Sequence, residues 1–127
     1  MRLQRRAGSD YNGVIQPETV MGITKITKDD NWEMMVSGRI DGAMANQLEV
    51  EILAAIKAGA KEIFINLSQA EWMCSAAIRV ILQYYRQMKN NGKVLVVTRP
   101  SGAILEILET TGFKDVIVER SQSGGAR

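Results

Sequence analysis

The hydrophobic positions change period along the chain, and the changes mark its elements. Gly22 to Thr27 reads GITKIT, with Ile23 and Ile26 as core candidates, and Trp32 to Ser37 reads WEMMVS, with Trp32, Met34 and Val36 alternating onto one face. The polar Lys28-Asp29-Asp30-Asn31 cluster between them predicts a hairpin turn, so two antiparallel strands open the domain. From Met44 to Ala58 the apolar residues Met44, Leu48, Ile52, Ala55 and Ile56 fall three or four apart, the spacing of an amphipathic helix, with Asp41 near its start as a cap and Gly59 as its stop.

Glu62 to Leu67 and Lys93 to Thr98 contain IFINL and VLVVT, nearly continuous apolar runs of the kind found in strands inside a sheet. Between them, Ile78, Ile81, Leu82, Tyr85 and Met88 share a helical face over Ser75 to Asn90, and Asn91-Gly92 closes that helix. A third helix with Ile104, Leu105 and Leu108 follows Pro100-Ser101-Gly102, where Ser101 is read as a cap, and runs to Gly112. Alternating Val116 and Val118 predict a last short strand. Crossovers of this length require parallel neighbours and a right-handed return. The predicted fold class is therefore α/β, with a mixed four- to five-stranded sheet, a parallel core and the first strand as the antiparallel exception. Trp32 is expected at an edge, and Ile63, Ile65, Leu82, Val94, Val96 and Leu105 in the core.

The chain has 127 residues, enough for one real core, with 46% hydrophobic and 24% charged residues, as in an ordinary globular domain. Residues 1–13 and 121–127 lack periodicity and are expected to be tails around a domain spanning 14–120. Its net charge of +2 is concentrated at the ends, since Arg2, Arg5, Arg6 and Arg127 are offset there only by Asp10, leaving 12 basic and 13 acidic groups from Val14 to Arg120. No basic stripe tracks a phosphate backbone, which predicts no direct nucleic-acid binding, and the Arg-rich start is read as a solvated tail. Apolar runs far shorter than a bilayer span predict no membrane insertion and a cytoplasmic protein.

One cysteine and no histidine argue against an intrachain disulfide, a multi-cysteine metal cluster and histidine-based hydrolysis; no cofactor, metal or catalytic residue is expected. No phosphate-cradling glycine loop followed by Lys-Ser/Thr is present, and Asp29 and Asp30 are read as a solvated turn. Arg39 and Asp41, between Gly38 and Gly42, belong to a strand-to-helix turn, paired with each other or solvated. The informative segment is Leu67 to Leu82, LSQAEWMCSAAIRVIL, where Cys74-Ser75-Ala76-Ala77 opens a helix. Ser75 stands where a hydroxyl caps the first-turn amides, and a phosphate on it would meet the same positive helix end. Cap, modification switch and nucleophile remain open on chemistry alone. Trp72 has two readings, an exposed anchor or a lid over the core.

Three pieces taken in order, VSGRIDGAMANQLEVEI, the IFINLS strand followed by WMCSAAIRVIL, and NNGKVLVVTRPSGAILEILETTGF, resemble the STAS domain of bacterial anti-sigma factor antagonists over about Gly22 to Val118. The resemblance implies helices predominantly on one sheet face. It also implies a non-enzymatic module that binds a serine-kinase anti-sigma factor, is inactivated by phosphorylation of a serine at the second helix's start, here Ser75, and is reactivated by a serine phosphatase. Arg39, Asp41, Trp72, Met73, Cys74, Ser75 and Arg79 are the expected partner-binding residues, with Trp72 or Met73 as an exposed apolar anchor. The chain departs from the family's Asp-Ser-Ser-Gly or Asp-Ser-Ala-Gly at Cys74 and Ala77, and from its usual Asp at Asn66. Two other STAS-like roles fit the same resemblance: an accessory subunit of a membrane transport ATPase complex, and a self-associating scaffold of a sensory assembly.

Overall fold

The computed structural model describes residues 18–118; the expected tails and the domain limits at Val14 and Arg120 lie outside the described residues. In chain order the elements are β1 (Glu18–Val20), β2 (Ile23–Lys28), β3 (Asn31–Val36), β4 (Gly38–Ile40), α1 (Gly42–Lys57), β5 (Glu62–Asn66), β6 (Ala70–Met73), α2 (Ser75–Asn90), β7 (Val94–Thr98), α3 (Gly102–Thr111) and the single turn α4 (Lys114–Ile117). Five strands form one sheet in the order β1-β2-β3-β5-β7, and β4 and β6 form a separate two-stranded sheet. Within the larger sheet β2 is antiparallel to both neighbours, whereas β3, β5 and β7 are parallel, as the βαβ spacing requires.

Pairing register decides which side is buried. Met34 stands beside Ile65 and Ile65 beside Val97, while Trp32 stands beside Ile63 and Ile63 beside Leu95, so these side chains share a face. On that face the sheet joins one core with Leu48 and Ile52 of α1, Ile81 and Met88 of α2, and Ile104 and Leu108 of α3. The opposite face carries Ile26, Met35, Phe64 and Val96, all only partly buried, so the helices lie predominantly on one side. No helix among the described residues is long and apolar enough to cross a membrane.

Several expectations shift. Leu95 and Val97 are the buried residues of β7, Val94 is exposed and Val96 half-buried; Ile104 and Leu108 bury while Leu105 is half-buried. Trp32 lies in β3, the middle strand of five, where Thr27 and Ile63 flank it. The expected last strand is instead α4, which buries Ile117, with only Val118 bridging to Val97. Polar locks fasten the layers: Lys25 Nζ of β2 donates to Glu51 Oε1 of α1 at 2.6 Å, and Tyr84 Oη of α2 donates to Glu49 Oε2 of α1 at 2.7 Å. Burial, then the hydrogen bond and charge of Glu49, push the Tyr84 phenol up to about 12.

Candidate functional site

The small β4-β6 sheet builds the site. After Val36, Ser37 and Gly38 turn the chain out of the large sheet, and Gly38 has φ +81°, a conformation that a side chain would strain. Gly38 N donates to Gln69 O at 3.0 Å, and β4 then pairs parallel with β6: Gly38 opposite Ala70, Arg39 opposite Trp72 and Ile40 opposite Met73, with a bulge after the first pair. Because the two strands run parallel and end in step, the residues that follow the last pair, Asp41 and Cys74, begin α1 and α2 side by side. Cys74 N donates to Ile40 O at 2.9 Å and fixes that alignment.

Asp41 caps α1, its Oδ1 accepting from Met44 N at 3.0 Å, so it is paired with the helix and not with Arg39. The Arg39 guanidinium lies 4.3 Å from the centroid of the Trp72 ring, and Trp72 is half-buried beneath it, neither a free anchor nor a closed lid. Met73 is only 3% exposed and belongs to the core, because the strand alternation that turns Trp72 outward turns its neighbour in; the expectation of Met73 as an exposed anchor is corrected. Cys74, half-buried against the core, is the N-cap of α2 and makes no side-chain cap bond.

Ser75 is thus the first helical residue rather than the cap. It is exposed, and its hydroxyl makes no hydrogen bond among the described residues. One helical turn on, Arg79 is also exposed. The amides of Ser75 and Ala76 precede any carbonyl acceptor within α2, and they point the positive end of that helix at the surface where Ser75 stands. The geometry brings Arg39, Asp41, Trp72, Cys74, Ser75 and Arg79 to one end of the molecule and withdraws Met73 from it.

Sequence reasoning named Ser101 and Asn66 but not the contacts by which they support this end. Ser101 Oγ accepts from Ile104 N at 3.2 Å, the expected cap of α3, but also donates to Ala70 O at 2.7 Å and so ties α3 to β6. Asn66 is 4% exposed; its Nδ2 donates to Glu33 Oε2 at 3.0 Å and its Oδ1 accepts from Ser68 N at 2.9 Å. That pairing gives a physical reason for Asn in place of an acid here, since a carboxylate has no proton to offer Glu33.

The STAS domain family matches residues 23–124. The chain belongs to the STAS domain family. Among its relatives, the anti-sigma-B factor antagonist of Staphylococcus epidermidis is 26% identical over 97 residues, covering 76% of this chain and 90% of that protein. An anti-sigma factor antagonist from Mycobacterium paratuberculosis has a similar solved structure, with a TM-score of 0.66 and 22% identity over 75% of this chain and 80% of that one. The Bacillus cell fate determinant SpoIIAA in its phosphorylated form has a TM-score of 0.57 and 19% identity over 88% of this chain and 98% of its own. At these identities the structural likenesses bear on the STAS fold alone.

Proposed function

We propose that this STAS domain is an anti-sigma factor antagonist, a regulatory module without a catalytic step of its own, that docks a serine-kinase anti-sigma factor on the end formed by β4, β6 and the starts of α1 and α2. The observation that carries this reading is the parallel register of β4 and β6, which starts two helices side by side, with Arg39 exposed on the strand before the first and Ser75 and Arg79 exposed on the first turns of the second. Binding there frees the sigma factor from the same kinase. The names of the relatives support the regulatory class, and the existence of a phosphorylated SpoIIAA supports a covalent switch.

In the proposed cycle the kinase transfers the γ-phosphoryl of ATP to Ser75 Oγ; the ester bond forms, the bond to ADP breaks and the hydroxyl proton is lost. The phosphate brings about −1.5 to −2 charges to a surface that was neutral at that atom, while the open first-turn amides and Arg79 hold it locally. The domain stays folded and the change is felt at the interface, through desolvation and repulsion from partner acids. A serine phosphatase reverses it. The family's acid before the serine is replaced by Cys74, so orientation of the hydroxyl falls to the helix start and Arg79.

The test is intact mass after incubation with the anti-sigma kinase and ATP. Wild type is expected to gain one phosphoryl group and to lose affinity for the kinase, and Ser75→Ala to bind without gaining mass. No mass gain by wild type, with binding demonstrated, would refute the switch and leave the binding role in place.

A further inference from the structure

The hairpin joining β1 to β2 carries a feature that the fold does not need. Val20 pairs with Ile23, so the loop is the two residues Met21 and Gly22, and both have positive φ, +52° and +84°, as a type I′ turn demands. Asn-Gly is the favoured pair for such a loop; methionine has neither the short polar side chain nor the missing Cβ that make the left-handed conformation cheap. Burial does not offset the strain, because Met21 is 58% exposed, the most open large hydrophobic side chain among the described residues. Strain combined with an exposed apolar side chain is a pattern of functional positions.

The loop also abuts the site. Gly22 O accepts from Ser37 N at 3.0 Å, just before β4, and a Cβ placed on Gly22 would stand 3.1 Å from Cε of Met44. Met44 is the first-turn residue of α1 whose amide Asp41 caps. The hairpin tip therefore stands against the chain entering β4 and the first turn of α1, at the end of the molecule that carries Asp41 and Arg39. That surface is polar at its centre, and Met73 is buried, so it lacks an apolar anchor of its own beyond the half-covered Trp72.

We infer that Met21 is the apolar anchor of the partner interface, inserting into an apolar pocket on the same serine-kinase anti-sigma factor whose acidic groups face Arg39 and Arg79; the inference rests on the proposed function. A flexible, polarizable thioether at a fixed hairpin tip suits a pocket of irregular shape, and its strain is a stability cost retained for contact.

The experiment titrates wild type into each purified serine-kinase anti-sigma factor of the source genome, and the one bound serves as the probe. Met21→Asn installs the preferred turn pair, so its melting temperature is expected to hold or rise, while its affinity for the probe falls roughly 10-fold or more. Met21→Leu, as strained and as apolar, is expected to bind within about threefold of wild type. A folded Met21→Asn that binds within about twofold overturns the inference, and weakened binding by Arg79→Glu in the same series then shows that the underlying reading survives. Failure of wild type to bind any of these kinases overturns both.

Discussion

Asn66→Asp exchanges one atom in a partly buried pair and should reverse the sign of an interaction. In the native protein Asn66 Nδ2 donates to Glu33 Oε2 at 3.0 Å, while its Oδ1 accepts from Ser68 N, a contact that an aspartate oxygen can keep. The loss is confined to the strand pair. A hydrogen bond to a charged acceptor contributes about 1.5–3 kcal/mol, and two carboxylate charges at about 4 Å repel by about 4 kcal/mol at an effective dielectric constant of 20. Above the folded pKa the pH-dependent part of this cost is about 1.4 kcal/mol for each unit by which the folded pKa exceeds the unfolded one. A net loss of about 2–4 kcal/mol at pH 7.5 is expected, a large share of a small domain's stability. The introduced acid has its folded pKa raised above the unfolded one. Its penalty is therefore complete above the folded pKa and vanishes as pH falls below the unfolded value near 4, opposite to the behaviour of a salt-bridged acid. Urea unfolding followed by tryptophan fluorescence at pH 7.5 and pH 5 measures it: the gap from wild type should shrink on acidification. A gap of equal size at both pH values, or one below about 0.5 kcal/mol at pH 7.5, would refute the Glu33–Asn66 pairing as the reason for the residue choice.

Burial raises the pKa of Glu51, but hydrogen bonds from Lys25 and Gln47 and the charge of Lys25 outweigh it and leave the carboxyl below its ordinary value. Its contribution should be complete above the unfolded pKa near 4.5 and fade as pH falls through the folded one, so Glu51→Gln, costing about 2 kcal/mol at pH 7, should approach wild type in urea midpoint at low pH. Because Cys74 occupies the α2 cap without bonding to it, Cys74→Ser should stabilise the domain by about 0.5–1 kcal/mol in the same assay, the hydroxyl accepting from a first-turn amide. Ser75→Ala, by contrast, should change stability by less than about 0.5 kcal/mol, since the hydroxyl caps nothing.

Much of this molecule is legible in the residue pattern. The Asp29-Asp30 hairpin, the three helices, the parallel core and the stop of α3 at Gly112 follow from period changes and turn residues, and Asp29 indeed takes a positive φ, +56°. What the pattern hides has physical causes. Val94-Leu95-Val96-Val97 is apolar on both faces, so nothing in the run says which phase meets the helices; the pairing with β5 decides it. Val116 and Val118 alternate as a strand would, yet Ile117 between them is the residue that buries, through a single turn too short to show a helical period. The strands β4 and β6, three and four residues long, carry no period at all, and they are what aligns the site. Ser75 and Cys74 differ by one position in their relation to the α2 cap, a resolution that sequence periodicity does not reach.

The proposed antagonist role is tested most directly by sigma-factor release. A fluorescently labelled sigma factor bound to its serine-kinase anti-sigma factor is titrated with the unphosphorylated chain, and anisotropy reports the free sigma factor. The antagonist role requires stoichiometric release by wild type and strongly reduced release by folded Arg79→Glu. Retention of every sigma factor of the source genome on its anti-sigma kinase at saturating concentrations of wild type would contradict it.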